Sequence, residues 1–297
     1  MKKSVLALSL VLALGIGFVG MPSHDGFVTP VCHAVEVANN ADMITADGFG
    51  FMPAGRPAGQ AKMMARRAAI MDAQRQLLEI VKGTAVDAES TMENCIVQSD
   101  VVKTKVSGMV TGAKVIKEEI ESDGSYHVVL QVPAYGVGSV ADAAITAKTG
   151  GAPAVPVPAP TPEFTKTYTP APEAKVTGGY TGVVIVIKSP GLVRTFCPAI
   201  YDSNGRAVYG VHNVDTTFAI NNGVVEYAKG QEKQNEVAAG RSRAGSNPLY
   251  IEIVSLRERV VNKCDVVISP SDADKILLEN QRSGFLNKYN VVFQYNG

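Results

Sequence analysis

The stretch "ARRAAIMDAQRQLLEIVKG", Ala65–Gly83, decides the reading of the first half of the chain. It extends back to Ala58 through Ala, Met, Gln and Lys without proline, and the only glycine before its end is Gly59. These residues are good helix formers. Met63, Ile70, Ala73, Leu77, Ile80 and Val81 recur at spacings near 3, 4 and 7 and predict one apolar face, while Arg66, Asp72, Arg75 and Glu79 fall mostly off it. Gly83 is expected to stop the helix in a left-handed conformation, with Lys82 complementing the negative end. Charges of both signs alternate along it, with Arg75 and Glu79, and Asp72 and Gln76, at i, i+4. A solvated helix face therefore explains the stretch better than a phosphate-tracking strip, and anionic lipid headgroups are the weaker functional reading of Arg66 and Arg67. The Arg pair is no twin-arginine export signal, because it stands far beyond the apolar leader.

Outward from this helix, "MITADGFGFMP" (43–53) alternates as a strand, and "AGRPAGQ" connects the two. "TAVDAESTMENCIV" (84–97) alternates in part and reads as a second strand. "SDVVKTKVSGMV" reads as a short helix ended by Gly108. "GAKVIKEEIES", the turn Asp123-Gly124 and "SYHVVLQVPAY" form a hairpin, since Asp-Gly tolerates positive φ. The order β-α-β-α-β-β implies a helix laid across a small, largely antiparallel sheet.

"TGGAPAVPVPAPTPEFTKTYTPAPEAKVTGG" (149–179) follows, rich in Pro, Ala and Thr. Proline fixes φ and removes donors, so this segment favours an extended spacer. In the second half, "YTGVVIVIKS" (180–189) reads as a buried strand and "PAIYDSNGRAVYG" (198–210) as a hairpin turning at Ser203-Asn204-Gly205. "QEKQNEVAAGR" reads as a short helix, and "LYIEIVSLRERV", "DVVIS" and "YNVVFQY" as strands. "SPSDADKILLENQRSG" is a helix with Ser269 as cap, Pro270 at its first position and Gly284 at its end. The fold class expected is α+β. Two small domains, residues 41–147 and 180–297, each pack helices on a largely antiparallel sheet, joined by the Pro/Ala-rich linker 148–179.

The amino terminus carries the strongest signal of location. Lys2-Lys3 and an apolar run from Val5 to Val19 have the layout of a secretory signal peptide. The run is short for a membrane span, which needs about 20 residues. Cleavage is expected after Ala34, closing a signal peptide over residues 1–34, with retention as an anchor the alternative. Cys32, preceded by Pro30-Val31, does not sit in a lipid-attachment motif. Cys95, Cys197 and Cys264 then remain; Cys197 and Cys264 are candidates for a disulfide, or all three are small buried hydrophobes.

Little in the chain points to chemistry. Lys+Arg and Asp+Glu are both 28, so the basic excess of a nucleic-acid binder is absent. The four His and four Cys stand singly, with no C-x-x-C, H-x-x-x-H or Asp-rich calcium loop, so neither a metal nor another cofactor is expected. "GFGFMPAGRPAG" (48–59) precedes a helix as a phosphate loop would, but lacks the Gly-Lys-Ser/Thr ending and the G-x-G-x-x-G spacing. No G-x-S-x-G elbow is present, and Cys197 has His212 as the only His in its half. Glu118-Glu119 reads as a solvated strand face. "GRSRAGSNP" (240–248) offers Arg241 and Arg243 as an anion contact, against the simpler reading of a solvated turn.

With those residues named, a resemblance can be stated. "AKMMARRAAIMDAQRQLLEIVKGTAVDAES", followed by "GMVTGAKVIKEEIESDGSYHVVLQVP", resembles the LPP-twenty lipoprotein family and the amino-terminal domain of FlgT-type flagellar assembly proteins. The second half, through "PAIYDSNGRAVYG", "AGSNPLYIEI" and "DVVISPSDADKILLENQRSGFL", resembles the carboxyl-terminal part of uncharacterised exported relatives. The resemblance implies a non-catalytic envelope protein, periplasmic or associated with the outer membrane, whose partners are envelope or flagellar proteins. It brings no catalytic residues. The alternative is a periplasmic binding module for an anionic glycan or lipid headgroup, using Arg241/Arg243 or Arg66/Arg67.

Overall fold

The computed structural model describes residues 43–151, 156, 158–159, 179–258 and 260–296. Ala34, Cys32 and most of the linker lie outside them.

The chain folds as α+β in two parts. The first runs β1 (Met43–Gly50), α1 (Ala58–Lys82), α2 (Met92–Gln98), α3 (Asp100–Thr111), β2 (Lys114–Ile120), β3 (Tyr126–Pro133) and α4 (Val140–Thr149). Its three-stranded antiparallel sheet has the order β1-β3-β2. α1 lies across it, but on a different row of residues from the one that size and hydrophobicity suggest. Ala61, Ala65, Ala69, Ala73, Leu77 and Val81, every fourth residue, are buried. Met63 is 61% exposed, and Ile70 and Ile80 are only half-buried. The reason is the strand beneath: a Cβ on Gly48 would fall 2.2 Å from the Ala69 carbonyl oxygen, and one on Gly50 2.0 Å from that of Ala65. Helix and strand backbones are nearly in contact there, and only alanine opposite glycine fits. The "GFG" stretch is a packing seat. Asp72 completes it by accepting the Phe49 amide, 3.1 Å away, on the edge strand of the sheet.

Three local expectations change. Residues 92–98 form a helix rather than a strand, and α3 runs past Gly108 to Thr111. Ser99 caps α3 by accepting from the Val102 amide. Gly83 has φ −70°, so α1 ends without a left-handed residue, and Thr84 Oγ1 donates to the Ile80 carbonyl instead. The hairpin loop closes over Ser122-Asp123-Gly124, with Gly124 N donating to Glu121 O and Gly124 at φ +81°. This is the three-residue loop that ends in a left-handed glycine. The hairpin at Asp202 repeats it, with Gly205 N donating to Asp202 O.

The second part comprises β4 (Gly182–Ile187), β5 (Ile200–Asp202), β6 (Ala207–Tyr209), α5 (Thr216–Asn222), β7 (Glu226–Lys229), α6 (Gly230–Ala238), β8 (Pro248–Glu252), β9 (Ser255–Leu256), β10 (Val266–Ile268), α7 (Pro270–Ser283) and β11 (Val291–Tyr295). Ser269 caps α7 and Gly284 ends it at φ +67°. Here the antiparallel expectation gives way. In the sheet β7-β11-β4-β8 every pairing is parallel, and the sheet β6-β5-β10-β9 is mixed. Crossover connections join these strands, and as in other parallel sheets both faces are buried. Val183, Ile185 and Phe293 face the main core, while Val184, Val292 and Ala228 pack against Val237 and Ala244.

One apolar core runs through both parts, from Leu77, Met92 and Leu130 to Ile185, Phe196 and Ile268. Backbone bonds cross between them. Cys197 N donates to Val86 O and Asn262 N to Ala88 O, both at 2.9 Å, and Gly136 N donates to Ile220 O at 2.9 Å. Among the described residues no helix is long and apolar enough to cross a membrane.

Candidate functional site

A cavity of about 530 Å³ lies where the two parts meet, with Ala88 and Cys197 of the crossing bonds on its wall. The segment between α1 and α2 contributes Asp87, and α4 contributes Lys148. The second part contributes Tyr201, His212, Arg257 and Asp265.

Asp87 is tied down from several sides. Its Oδ1 accepts from the Ser90 hydroxyl at 2.7 Å and from the Ser90 and Glu89 amides at 2.9 Å, and Lys148 pairs with its other oxygen. Burial pushes this carboxyl up, but Lys148, Ser90 and the Glu89 amide outweigh it and hold the group below the usual range. On the opposite wall Asp265 accepts from the Ala199 amide at 3.0 Å and from Arg257 at 3.3 Å. Burial wins there and raises its pKa, with Cys264, the Ala199 amide and Arg257 opposing. The Arg257 guanidinium lies 4.7 Å over the Tyr201 ring. The wall thus carries fixed charges of both signs, each with a protein partner.

The sequence-expected residues are distributed as follows. Cys197 and His212 line this same cavity. The Cys197 thiol is nevertheless buried and pushed far above its ordinary value, the reverse of an activated nucleophile. Cys197 and Cys264 do not pair: both are buried free thiols, as is Cys95, and the Cys264 sulfur contacts Asp265 Oδ1 at 3.4 Å. Arg241 stays exposed, but Arg243 turns inward. Its guanidinium donates to the carbonyls of Asn222, of Gly223 at 3.1 Å and of Val224 at 3.4 Å, and it lies 5.2 Å over Phe218. A cation at the carboxyl end of α5 satisfies orphan carbonyls and opposes the helix dipole. Arg243 is therefore a helix cap and not an anion contact. Arg66 donates from Nε to Glu118 at 2.9 Å and from Nη2 at 2.5 Å, tying α1 to β2, while Arg67 is exposed. Sequence reading missed Asp87, Lys148 and Asp265, because their meeting depends on packing between parts far apart in the chain.

The first part has a helix closely seated on a glycine strand and followed by a β2-β3 hairpin. Residues 54–133 match the LPP20 lipoprotein family. The LPP20 match takes in α1 with its alanine row, α2, α3 and the hairpin, and it ends with β3. Residues 182–296, from β4 through β11, match a family described as the second domain of Treponema pallidum Tp0624. No curated protein matches the chain.

Proposed function

We propose that this chain is an exported, non-enzymatic protein of the cell envelope that works as a scaffold or assembly factor. The match of residues 54–133 to a family of lipoproteins carries the reading. The basic Lys2-Lys3, the apolar run Val5–Val19 and the small residues at Cys32 and Ala34 support it. So does the surface of the first part, where Phe51 is 74% and Met71 70% exposed. Cell fractionation with sequencing of the mature amino terminus tests the reading. The expected result is an envelope-associated chain that begins after Ala34 or retains its apolar run in a membrane. A full-length chain in the cytosol overturns it. The flagellar version rests on the resemblance to FlgT-type proteins and predicts altered motility or basal-body composition when the gene is deleted. Normal swimming with normal basal bodies removes that version alone.

The cavity between the parts favours a second reading, a binding module for an anionic glycan or lipid headgroup. Arg243 and Arg66 do not line the cavity; the cations that do, Lys148 and Arg257, are paired with Asp87 and Asp265, and a ligand's anionic group would have to share them. A thermal-shift screen separates the readings, since a specific ligand in excess stabilises the fold by mass action. Stabilisation lost in Lys148→Met and Arg257→Met supports the binding module.

A further inference from the structure

We propose that the solvent face of the first sheet carries a site for one Zn²⁺ ion, held by His127, Glu119 and Glu121 and oriented by Asp47. β3 is the central strand, and strand alternation sends Val128 and Leu130 into the core and His127 to the other face. The register sets His127 opposite Glu119 of β2 and opposite Phe49 of β1. The Phe49 ring stacks on the imidazole with centroids 4.5 Å apart and planes 6° apart. His127 is thereby only 9% exposed although it stands on the open side of the sheet. Its ring is held in place before any ligand arrives.

Both ring nitrogens meet carboxylates. Nε2 lies 2.8 Å from Asp47 Oδ1, and Nδ1 lies 3.0 Å from Glu121 Oε1 and 3.4 Å from Glu119 Oε1. An ionised carboxylate only accepts, and a neutral imidazole donates from one nitrogen. Donation from Nε2 to Asp47 leaves Nδ1 facing two carboxylate oxygens, an arrangement completed by a second ring proton or by a metal cation between them. The spacing fits a metal. Zn²⁺ bonds to nitrogen and carboxylate oxygen are about 2.0–2.2 Å, so tetrahedral ligand atoms stand roughly 3.3 Å apart. The Nδ1–oxygen separations are 3.0 and 3.4 Å, and ligand atoms of the three residues all lie within 4.8 Å of one another. Asp47 completes the carboxylate–histidine–metal relay that fixes tautomer and ring orientation at zinc sites.

The donor set selects the ion. One imidazole with two carboxylates suits Zn²⁺, whereas Mg²⁺ and Ca²⁺ favour all-oxygen shells. Lys117 pairs with Glu119, and its ammonium must give way to the metal or share the carboxylate. Three protein ligands leave a fourth position for water or for a donor from a partner.

Titration calorimetry of Zn²⁺ into the chelator-stripped full chain at pH 7.5 tests this, with Mg²⁺ as the contrasting ion. The expected result is one Zn²⁺ per chain and no comparable Mg²⁺ binding. Glu121→Gln, at a residue outside the apolar core, weakens Zn²⁺ at least tenfold. Asp47→Asn weakens it about 10–100-fold, the usual effect of losing such an orienting group. His127→Gln, checked for folding by circular dichroism, removes the site. Failure of the wild type to bind Zn²⁺ at micromolar concentration, or equal binding by wild type and the His127→Gln and Glu121→Gln variants, overturns the proposal. Nδ1 would then hold a proton.

Discussion

A Cβ on Gly50 would stand 2.0 Å from the carbonyl oxygen of Ala65, closer than any side-chain contact allows. The equivalent distance from Gly48 to the Ala69 oxygen is 2.2 Å. The atoms in the way are backbone, so neither can swing aside, and a side chain here must lift α1 off the sheet. Gly48→Ala and Gly50→Ala should each cost about 1–3 kcal/mol, the range for overpacking, or more. Gly59, inside α1 with nothing within 4 Å of its would-be Cβ, is the control. Gly59→Ala should stabilise by roughly 0.5–1 kcal/mol through helix propensity. Urea unfolding of the three variants checks the assignment, and equal effects at all three positions would sink it.

Arg243 gives the second prediction. Its guanidinium serves carbonyls of Asn222, Gly223 and Val224 at the end of α5. Arg243→Ala leaves the Asn222 and Gly223 carbonyls in a partly buried place without this donor, while Val224 O keeps the Tyr209 hydroxyl, at on the order of 1–3 kcal/mol for each carbonyl that water cannot reach. Arg241→Ala, at an exposed position, should stay within about 0.5 kcal/mol of wild type. Phosphate or sulfate should protect neither residue's variant selectively. Chemical denaturation with and without phosphate reads both effects, and a phosphate-dependent loss in Arg241→Ala would restore the anion-site reading of this turn.

The reach of the sequence is visible in these same residues. Helix α1 and the β2-β3 hairpin are legible because their signals are local: helix formers without proline, and alternation around Asp123-Gly124. Counting back from a two-residue Asp123-Gly124 turn would set Ile120 beside His127; the three-residue loop shifts the register by one and brings Glu119 there instead. Asp47 is out of reach of such counting, since it arrives from β1, 80 residues before His127. The packing face of α1 is misjudged for a physical reason. Alanine has little hydrophobic weight, so Met63 outranks Ala65 on any scale, but close backbone approach rewards small size and not apolar area. The parallel sheet is missed because neighbours in the order β7-β11-β4-β8 are never consecutive in the chain. For Arg243, one arginine in a polar turn looks the same on paper whether it faces water or three carbonyls.

The cysteines yield a third prediction. Cys95, Cys197 and Cys264 are buried and free, and burial pushes the Cys197 and Cys264 thiols far up. Thiolate is the reactive form, so all three should resist iodoacetamide in the folded chain and react after urea unfolding. Reducing agent should leave the melting temperature unchanged. Intact-mass measurement after alkylation counts the accessible thiols. A Cys197–Cys264 bridge would instead show both residues unlabelled after unfolding and a melting temperature lowered by reductant.

The last prediction concerns acid. In the folded chain the Asp87 carboxyl is held below its ordinary value: burial raises it, but Lys148, Ser90 and the Glu89 amide together overcome burial. A carboxyl depressed on folding binds its proton more weakly in the native state than in the unfolded one. Its contribution to stability is therefore fully present above the unfolded pKa, about 3.9, and is lost as pH falls through the lower folded value. Asp87→Asn keeps the shape and removes the titration. At pH 7 the variant should be less stable than wild type, because Lys148 is left half-buried without its partner and the link between the parts is weakened. The two should begin to converge as pH falls below about 4 and meet once it has passed below the depressed folded value, where the protonated carboxyl of Asp87 and the amide that replaces it are both uncharged. Urea midpoints for both proteins between pH 3 and pH 7 give the difference directly, and common acid effects elsewhere in the chain cancel from it. Parallel curves across that range would mean that Asp87 and Lys148 meet without holding the two parts together.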